Sequence, residues 1–196
     1  MNQPTIYQRC YMNPIIRKAF VSSLLLSMLS LAYAQKPEPA AAILKSACKL
    51  SVSENKNVFV IFHASWCIWC HKMDSSMNDK SCKVFFNDNY IIRHLTVKES
   101  KNKKQFENPG ANELLARYSG ADDGIPVWLI FDKNGNLLAD SHIRSANDST
   151  NTAGRNSGCP ATKEEVDYFI SVLKKTSRLT EQQLSVIEKK FRENDN

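Results

Sequence analysis

Residues 58–70 read Val58-Phe59-Val60-Ile61-Phe62-His63-Ala64-Ser65-Trp66-Cys67-Ile68-Trp69-Cys70. The first six are almost uninterrupted apolar, β-branched and aromatic residues, which suits a strand buried on both faces of a parallel sheet. Helical composition then runs from the Cys-x-x-Cys to Met77. A cysteine that ends a strand and opens a helix sits where unpaired N–H groups and partial positive charge gather. Both favour thiolate over thiol, and Cys-x-x-Cys pairs at such sites have pKa values of about 3.5–7.5. Cys70 lies one turn deeper and is expected to be the less exposed of the two. The spacing therefore suits disulfide exchange, with Cys67 as nucleophile and Cys70 as resolving thiol.

Working outward, Pro39 to Leu50 is Ala-rich, with Ile43, Leu44, Ala47 and Leu50 at helical spacing. Asn55-Lys56-Asn57 is a turn. Downstream, Asp79 to Asn87 predicts a short helix with Val84, Phe85 and Phe86 inward, and Tyr90 to Val97 a second strand. Lys98 to Asn108 is charged and aperiodic and reads as an exposed excursion. Ala111 to Tyr118 is a short helix stopped at Gly120, and Asp122-Asp123-Gly124 turns into Ile125-Pro126. Val127 to Phe131 is a third buried strand. Asp132-Lys133-Asn134-Gly135 is a hairpin turn, and Asn136 to Ser141 a fourth strand. His142 to Pro160 is a Ser/Asn/Gly-rich loop. Thr162-Lys163-Glu164-Glu165 is a capping box opening a helix through Val166, Phe169, Ile170 and Leu173. Thr180 opens a last amphipathic helix that ends near Arg192. The order is one β-α-β unit followed by one β-β-α unit, an α/β architecture on a four-stranded mixed sheet.

The N-terminus reads as an address. Arg17-Lys18 precedes the short apolar run Ala19 to Leu31, and Ala32-Tyr33-Ala34 forms an A-x-A cleavage site. The run is shorter than the roughly 20 residues of a bilayer span. Met12 would make a more usual start than Met1. The expected division is a signal peptide over 1–34, a lead-in with helix over 35–56, the main domain over 57–176 and a C-terminal helix over 177–196. Cleavage after Ala34 implies export, with the periplasm favoured over the exterior and membrane contact only during export. An uncleaved anchor is the competing reading.

The 196 residues are 42% hydrophobic and 23% charged, which excludes wholesale disorder and collagen-like structure. Removing residues 1–34 takes away three basic residues and lowers the net charge from +6 to +3. So weak a balance, without a basic stripe, implies no nucleic-acid partner. Of six cysteines, Cys10 leaves with the signal, and five remain: Cys48, Cys67, Cys70, Cys82 and Cys159. An odd number in an oxidising compartment leaves one thiol free or paired with another chain.

The element order, the Trp-Cys-x-x-Cys after the first core strand and Gly124-Ile125-Pro126 before the third resemble the thioredoxin superfamily. Within it, the chain is most similar to exported bacterial thioredoxin-like proteins. The resemblance covers about Asn57 to Arg144 and the helix from Lys163. It implies a thioredoxin fold extended by the leading helix, the Lys98–Asn108 excursion and the tail. It also implies a thiol–disulfide oxidoreductase acting on protein thiols and disulfides, with an unidentified redox donor or acceptor protein. No bound cofactor is implied beyond the Cys67–Cys70 disulfide itself. By the same resemblance Pro126 is cis, and the backbone at Ile125 pairs with substrate beside an apolar rim of Trp66, Ile68 and Trp69. The alternatives are that Trp66 and Trp69 pack around the helix start, and that Ile125-Pro126 merely opens a strand. If the layout holds, Cys82 and Cys159 share a face with the Cys-x-x-Cys helix and are the favoured second pair, leaving Cys48 a buried free thiol.

Two positions depart from the family. Thioredoxins bury an acid six residues before the first cysteine, where this chain has Ile61. His71 follows Cys70 where thioredoxins often have Lys, and at i+4 from Cys67 it would either lean toward that sulfur, tuning its pKa, or be a solvated first-turn residue. Cys67 to His71 also spell C-x-x-C-H, the attachment signature of a c-type haem. Met73 and Met77 are too close in sequence to be the opposite axial ligand, and no Met follows Met77. A metal site drawing on Cys48, Cys82, His63 or His94 matches no paired Cys-x-x-Cys spacing, so none is expected. The blandest alternative is a binding or folding-assistance module whose Cys-x-x-Cys is a structural disulfide.

Overall fold

In the computed structural model, which describes residues 36–120, 123–144 and 154–195, the apolar run forms β1 (Asn57–His63), with Val58 to Phe62 all buried. It lies inside a four-stranded sheet. β2 (Tyr90–Thr96) pairs with it in parallel, and β3 (Val127–Phe131) pairs with it antiparallel, Ile61 opposite Trp128. β4 (Leu137–Asp140) completes the order β2-β1-β3-β4 along the outer side of β3. The proposed signal peptide, Met12 and Cys10 lie outside the described residues.

Six α-helices accompany the sheet among the described residues. They are α1 (Ala40–Glu54), α2 (Ile68–Met77), α3 (Lys83–Asn89), α4 (Ala111–Leu115), α5 (Lys163–Thr176) and α6 (Glu181–Arg192). Side chains alternate across a strand, so β1 and β3 supply two cores. Phe59, Ile61, Trp128 and Ile130 meet Met73 and Met77 of α2, Phe86 of α3, Phe169 of α5 and Leu184, Ile187 and Phe191 of α6. Val58, Val60, Phe62 and Leu129 face the opposite way, onto Ala40 and Ala47 of α1 and Ala111 and Leu115 of α4. Helices thus cover both faces, which is why Val58–Phe62 of β1 and Val127–Phe131 of β3 are apolar throughout. Thr162 and Thr180 cap α5 and α6 in full capping boxes with Glu165 and Gln183. No helix among the described residues is long and apolar enough to cross a membrane.

Several local expectations need correction. Val84 is 60% exposed while Phe86 is buried. Two residues apart on a helix point to opposite sides, so α3 buries one of them. The Lys98–Asn108 excursion holds a 3-10 helix (Lys101–Phe106), and Glu99 within it is buried. Part of the presumed 142–160 loop is a small hairpin, β5 (His142–Ile143) on β6 (Arg155–Asn156). Two-residue polar strands carry no period to detect. Gly154, at φ +75°, admits the close approach, since a Cβ there would lie 2.7 Å from the Ile143 carbonyl oxygen.

The cysteines also differ from expectation. Cys82 and Cys159 do share the core on the α2 side, yet both are free thiols rather than a pair. Each sulfur has a polar neighbour of its own: Ser81 Oγ 3.5 Å from Cys82 and Asn194 Nδ2 3.5 Å from Cys159. Burial pushes both thiols up, Cys159 to about 12, away from the reactive thiolate. Cys48 is free, as expected, but only partly buried, on α1 against the opposite core.

Candidate active site

Cys67 is the N-cap of α2, in extended conformation, and its Sγ accepts the Cys70 N–H at 3.1 Å. The sulfur thus takes the capping place that a serine hydroxyl would fill at a helix start. Cys67 and Cys70 are joined in a disulfide with Cα atoms 5.3 Å apart. The two residues are 3% and 1% exposed. Around them Trp66, Ile68 and Trp69 stand out into solvent at 55%, 73% and 47%. All three are thus open to solvent around the start of α2.

Across the disulfide runs the loop before β3. The Ile125–Pro126 bond is cis. The Ile125 carbonyl oxygen lies 3.4 Å from Cys67 Sγ, and its side chain packs on Ala64, Cys67 and Cys70. Long-range folding thus brings residues 64–70 and 125–126 together at one end of the sheet.

His71 does not lean toward Cys67. Its Nε2 is 3.1 Å from the Ser65 carbonyl oxygen, so the ring folds back onto the turn before the disulfide. Lys72 sits over the Trp69 ring, 4.5 Å from its centroid, and donates to the Asn194 carbonyl. Ile61 is 1% exposed within the apolar core.

The supporting residues were hidden in aperiodic sequence. Glu99 accepts the Ser65 N–H at 2.6 Å and the Ser65 hydroxyl at 2.9 Å, and Trp66 Nε1 donates to the Lys98 carbonyl. Burial raises the Glu99 carboxyl, but the Ser65 hydrogen bonds and the Lys103 ammonium outweigh it and hold the group below its usual range. On the other side, fully buried His142 places Nε2 2.8 Å from Asp123 Oδ2, just before the cis-proline loop. Its Nδ1 lies 3.4 Å from Asp140 Oδ1 without hydrogen-bond alignment. Asp140 and the Asp123 carboxylate raise the His142 pKa against the effect of burial. Burial alone would raise Asp140, yet His142 and Arg144 bring it down to about 2. A signal for these residues existed only as isolated polar side chains, which sequence spacing does not pair. Among the described residues no group of three or more His, Cys, Asp and Glu is placed to hold a metal.

Residues 41–133 match the family model described as thioredoxin-like. This stretch, just under half of the chain, is similar to thioredoxin-like domains. Distant likenesses among solved structures include the disulphide isomerase from Xylella fastidiosa Temecula1, 20% identical, spanning 52% of this chain and 72% of that one with a TM-score of 0.43. DsbH oxidoreductase is 20% identical over 88% of this chain and 95% of that one, with a TM-score of 0.41. The oxidised C-terminal domain of Neisseria meningitidis DsbD is 17% identical over 71% and 98%, with a TM-score of 0.41. No curated protein matches the sequence. The thioredoxin-like match contains the disulfide and the cis proline, and it ends before β4, the β5–β6 hairpin, α5 and α6.

Proposed function

We propose that this protein is an exported thiol–disulfide oxidoreductase that exchanges disulfides with protein substrates through Cys67 and Cys70, with the periplasm as its compartment. One observation carries the reading: the disulfide is seated at the start of α2, with the Cys67 sulfur 3.4 Å from the carbonyl before the cis proline, inside a rim of three exposed apolar side chains. In the reductive direction the Cys67 thiolate attacks one sulfur of a substrate disulfide. That S–S bond breaks, and the departing sulfur leaves as a thiolate that takes up a proton. Cys70 then loses its proton and attacks Cys67 Sγ, releasing the second substrate thiolate and closing Cys67–Cys70. Two electrons pass to the substrate, and the reverse sequence oxidises it. The pair itself carries the electrons, so no bound cofactor is needed, and a donor or acceptor protein must reset it. Export rests on the reading of residues 1–34.

The joined sulfurs and the His71 ring held on Ser65 favour exchange over haem attachment. The test is a pair of variants. Cys67→Ser should abolish reduction of insulin disulfides with the fold intact, and Cys70→Ser should trap mixed disulfides through Cys67. Unchanged activity in both would leave the binding-module alternative, and a Soret band in the purified protein would favour haem. The direction of work follows from the reduction potential, about −270 mV for a reductase of thioredoxin type and about −120 mV for a strong oxidant.

A further inference from the structure

Between β4 and α5 the chain inserts the β5–β6 hairpin and the segment Ser157–Ala161, all beyond the residues matched by the family model. This insert touches the cis-proline loop at two points. His142 holds the Asp123 carboxylate, as described above. Asn156 holds the loop backbone: its Nδ2 donates to the Gly124 carbonyl at 2.9 Å and to the Pro126 carbonyl at 3.1 Å. Its Oδ1 accepts the Gly158 N–H at 3.1 Å, so one amide uses both its donors and its acceptor. Gly158 adopts φ +57°, and a Cβ there would stand 3.7 Å from the Pro126 carbonyl oxygen. The Gly158 carbonyl in turn accepts the Trp128 indole N–H at 3.0 Å, tying the insert to β3.

The two carbonyls that Asn156 takes flank Ile125. Among the described residues no backbone group pairs with Ile125 itself, whose carbonyl faces the Cys67 sulfur. The insert also walls a groove of about 580 Å³ that runs beside this loop, lined by Trp69, Ile125, Pro126, Asn156, Gly158 and Thr162. We propose that Asn156 is a positioning residue for protein substrates: it fixes the Gly124–Pro126 backbone so that Ile125 stays open to an extended substrate segment, and the insert forms the wall along which that segment lies. The proposal rests on the exchange reading and adds the element that selects protein over small disulfides. A small disulfide needs only the Cys67 sulfur, whereas a polypeptide needs the loop held in register.

The experiment measures second-order rate constants of the reduced protein with insulin and with the small aromatic disulfide 5,5′-dithiobis(2-nitrobenzoate). Loss of two positioning hydrogen bonds in Asn156→Ala should lower the insulin rate about tenfold, each bond being modest in net strength. The small-disulfide rate and the reduction potential should not change. Asn156→Asp sets a carboxylate oxygen against two carbonyl oxygens and should lose more. If Asn156→Ala fails to fold, Asn156→Ser keeps one hydroxyl donor and should give an intermediate loss. An insulin rate unchanged in a folded variant, or both rates falling in parallel, overturns the proposal. A wild-type protein inert toward both disulfides overturns the exchange reading and this inference with it.

Discussion

At position 61 the central strand carries an isoleucine, 1% exposed, on the side of the sheet that faces α2. A buried acid there would be costly to ionise, would have a raised pKa, and would trade protons near neutrality. Ile61 has no proton to trade. The two bases nearest Cys70 in sequence are both engaged elsewhere, His71 on the Ser65 carbonyl and Lys72 on the Asn194 carbonyl. If the pair exchanges disulfides as proposed, removal of the Cys70 proton should then fall to water. Release of the mixed disulfide should be slow near neutral pH and accelerate as pH rises. Ile61→Asp should flatten that dependence and lower stability, because an unpaired buried carboxylate is penalised. Stopped-flow resolution rates between about pH 6 and 9, which span the ordinary His and Cys pKa values, check this. A wild-type rate already flat over that range would mean that another group removes the proton.

At the scale of elements, β4, β5 and the cis-proline loop are joined through one histidine. His142 faces Asp123 and Asp140, Arg144 pairs with Asp140, and the Lys98 ammonium donates to the Asp123 carbonyl. With both ring nitrogens beside carboxylates, the imidazolium suits the site better than the neutral ring does. A raised histidine pKa stabilises the fold fully below the unfolded value of about 6.5, and that contribution is lost as pH rises through the folded value. Asp140 acts in the opposite sense. Its contribution is present above the ordinary range near 4 and lost as pH falls through about 2. Thermal unfolding should therefore show wild-type Tm declining from about pH 6.5 upward, and His142→Gln should lack that decline. Equal slopes in the two proteins would show that His142 is neutral in the fold. His142 appeared in the sequence only as a loop residue, because its partners lie on separate elements.

Over the whole molecule, the tail is part of the α2-side core. Phe191 of α6 packs against Phe169 of α5 at 4.9 Å between ring centroids and against Phe86 of α3 at 6.2 Å. Past α6, Asn194 reaches Lys72, Ser76, Cys159 and Pro160, so the chain end braces the helix that carries the disulfide. Phe191→Ala should cost about 3–5 kcal/mol, the usual range for removing a buried aromatic ring. Urea unfolding followed by tryptophan fluorescence and by far-UV circular dichroism should move to lower midpoints together. A variant in which only the helical signal shifts would show α6 unfolding apart from the sheet.

What the sequence determined by itself is local. Apolar runs placed β1, β2 and β3. The Thr162 and Thr180 boxes started α5 and α6, and strand-to-helix order put Cys67 at a helix N-terminus. These features depend on residues a few positions apart, where periodicity and capping chemistry operate. Tertiary structure alone decided the rest. Ser65 meets Glu99 across 34 positions, Asn156 meets Gly124 across 32, and Lys72 meets Asn194 across 122. It also kept Cys82 and Cys159 apart from each other in one core, each beside its own polar neighbour. Such pairings follow the path of the folded chain. A buried carboxylate or a clamping amide has the same local sequence context as a solvated one, and only packing distinguishes them.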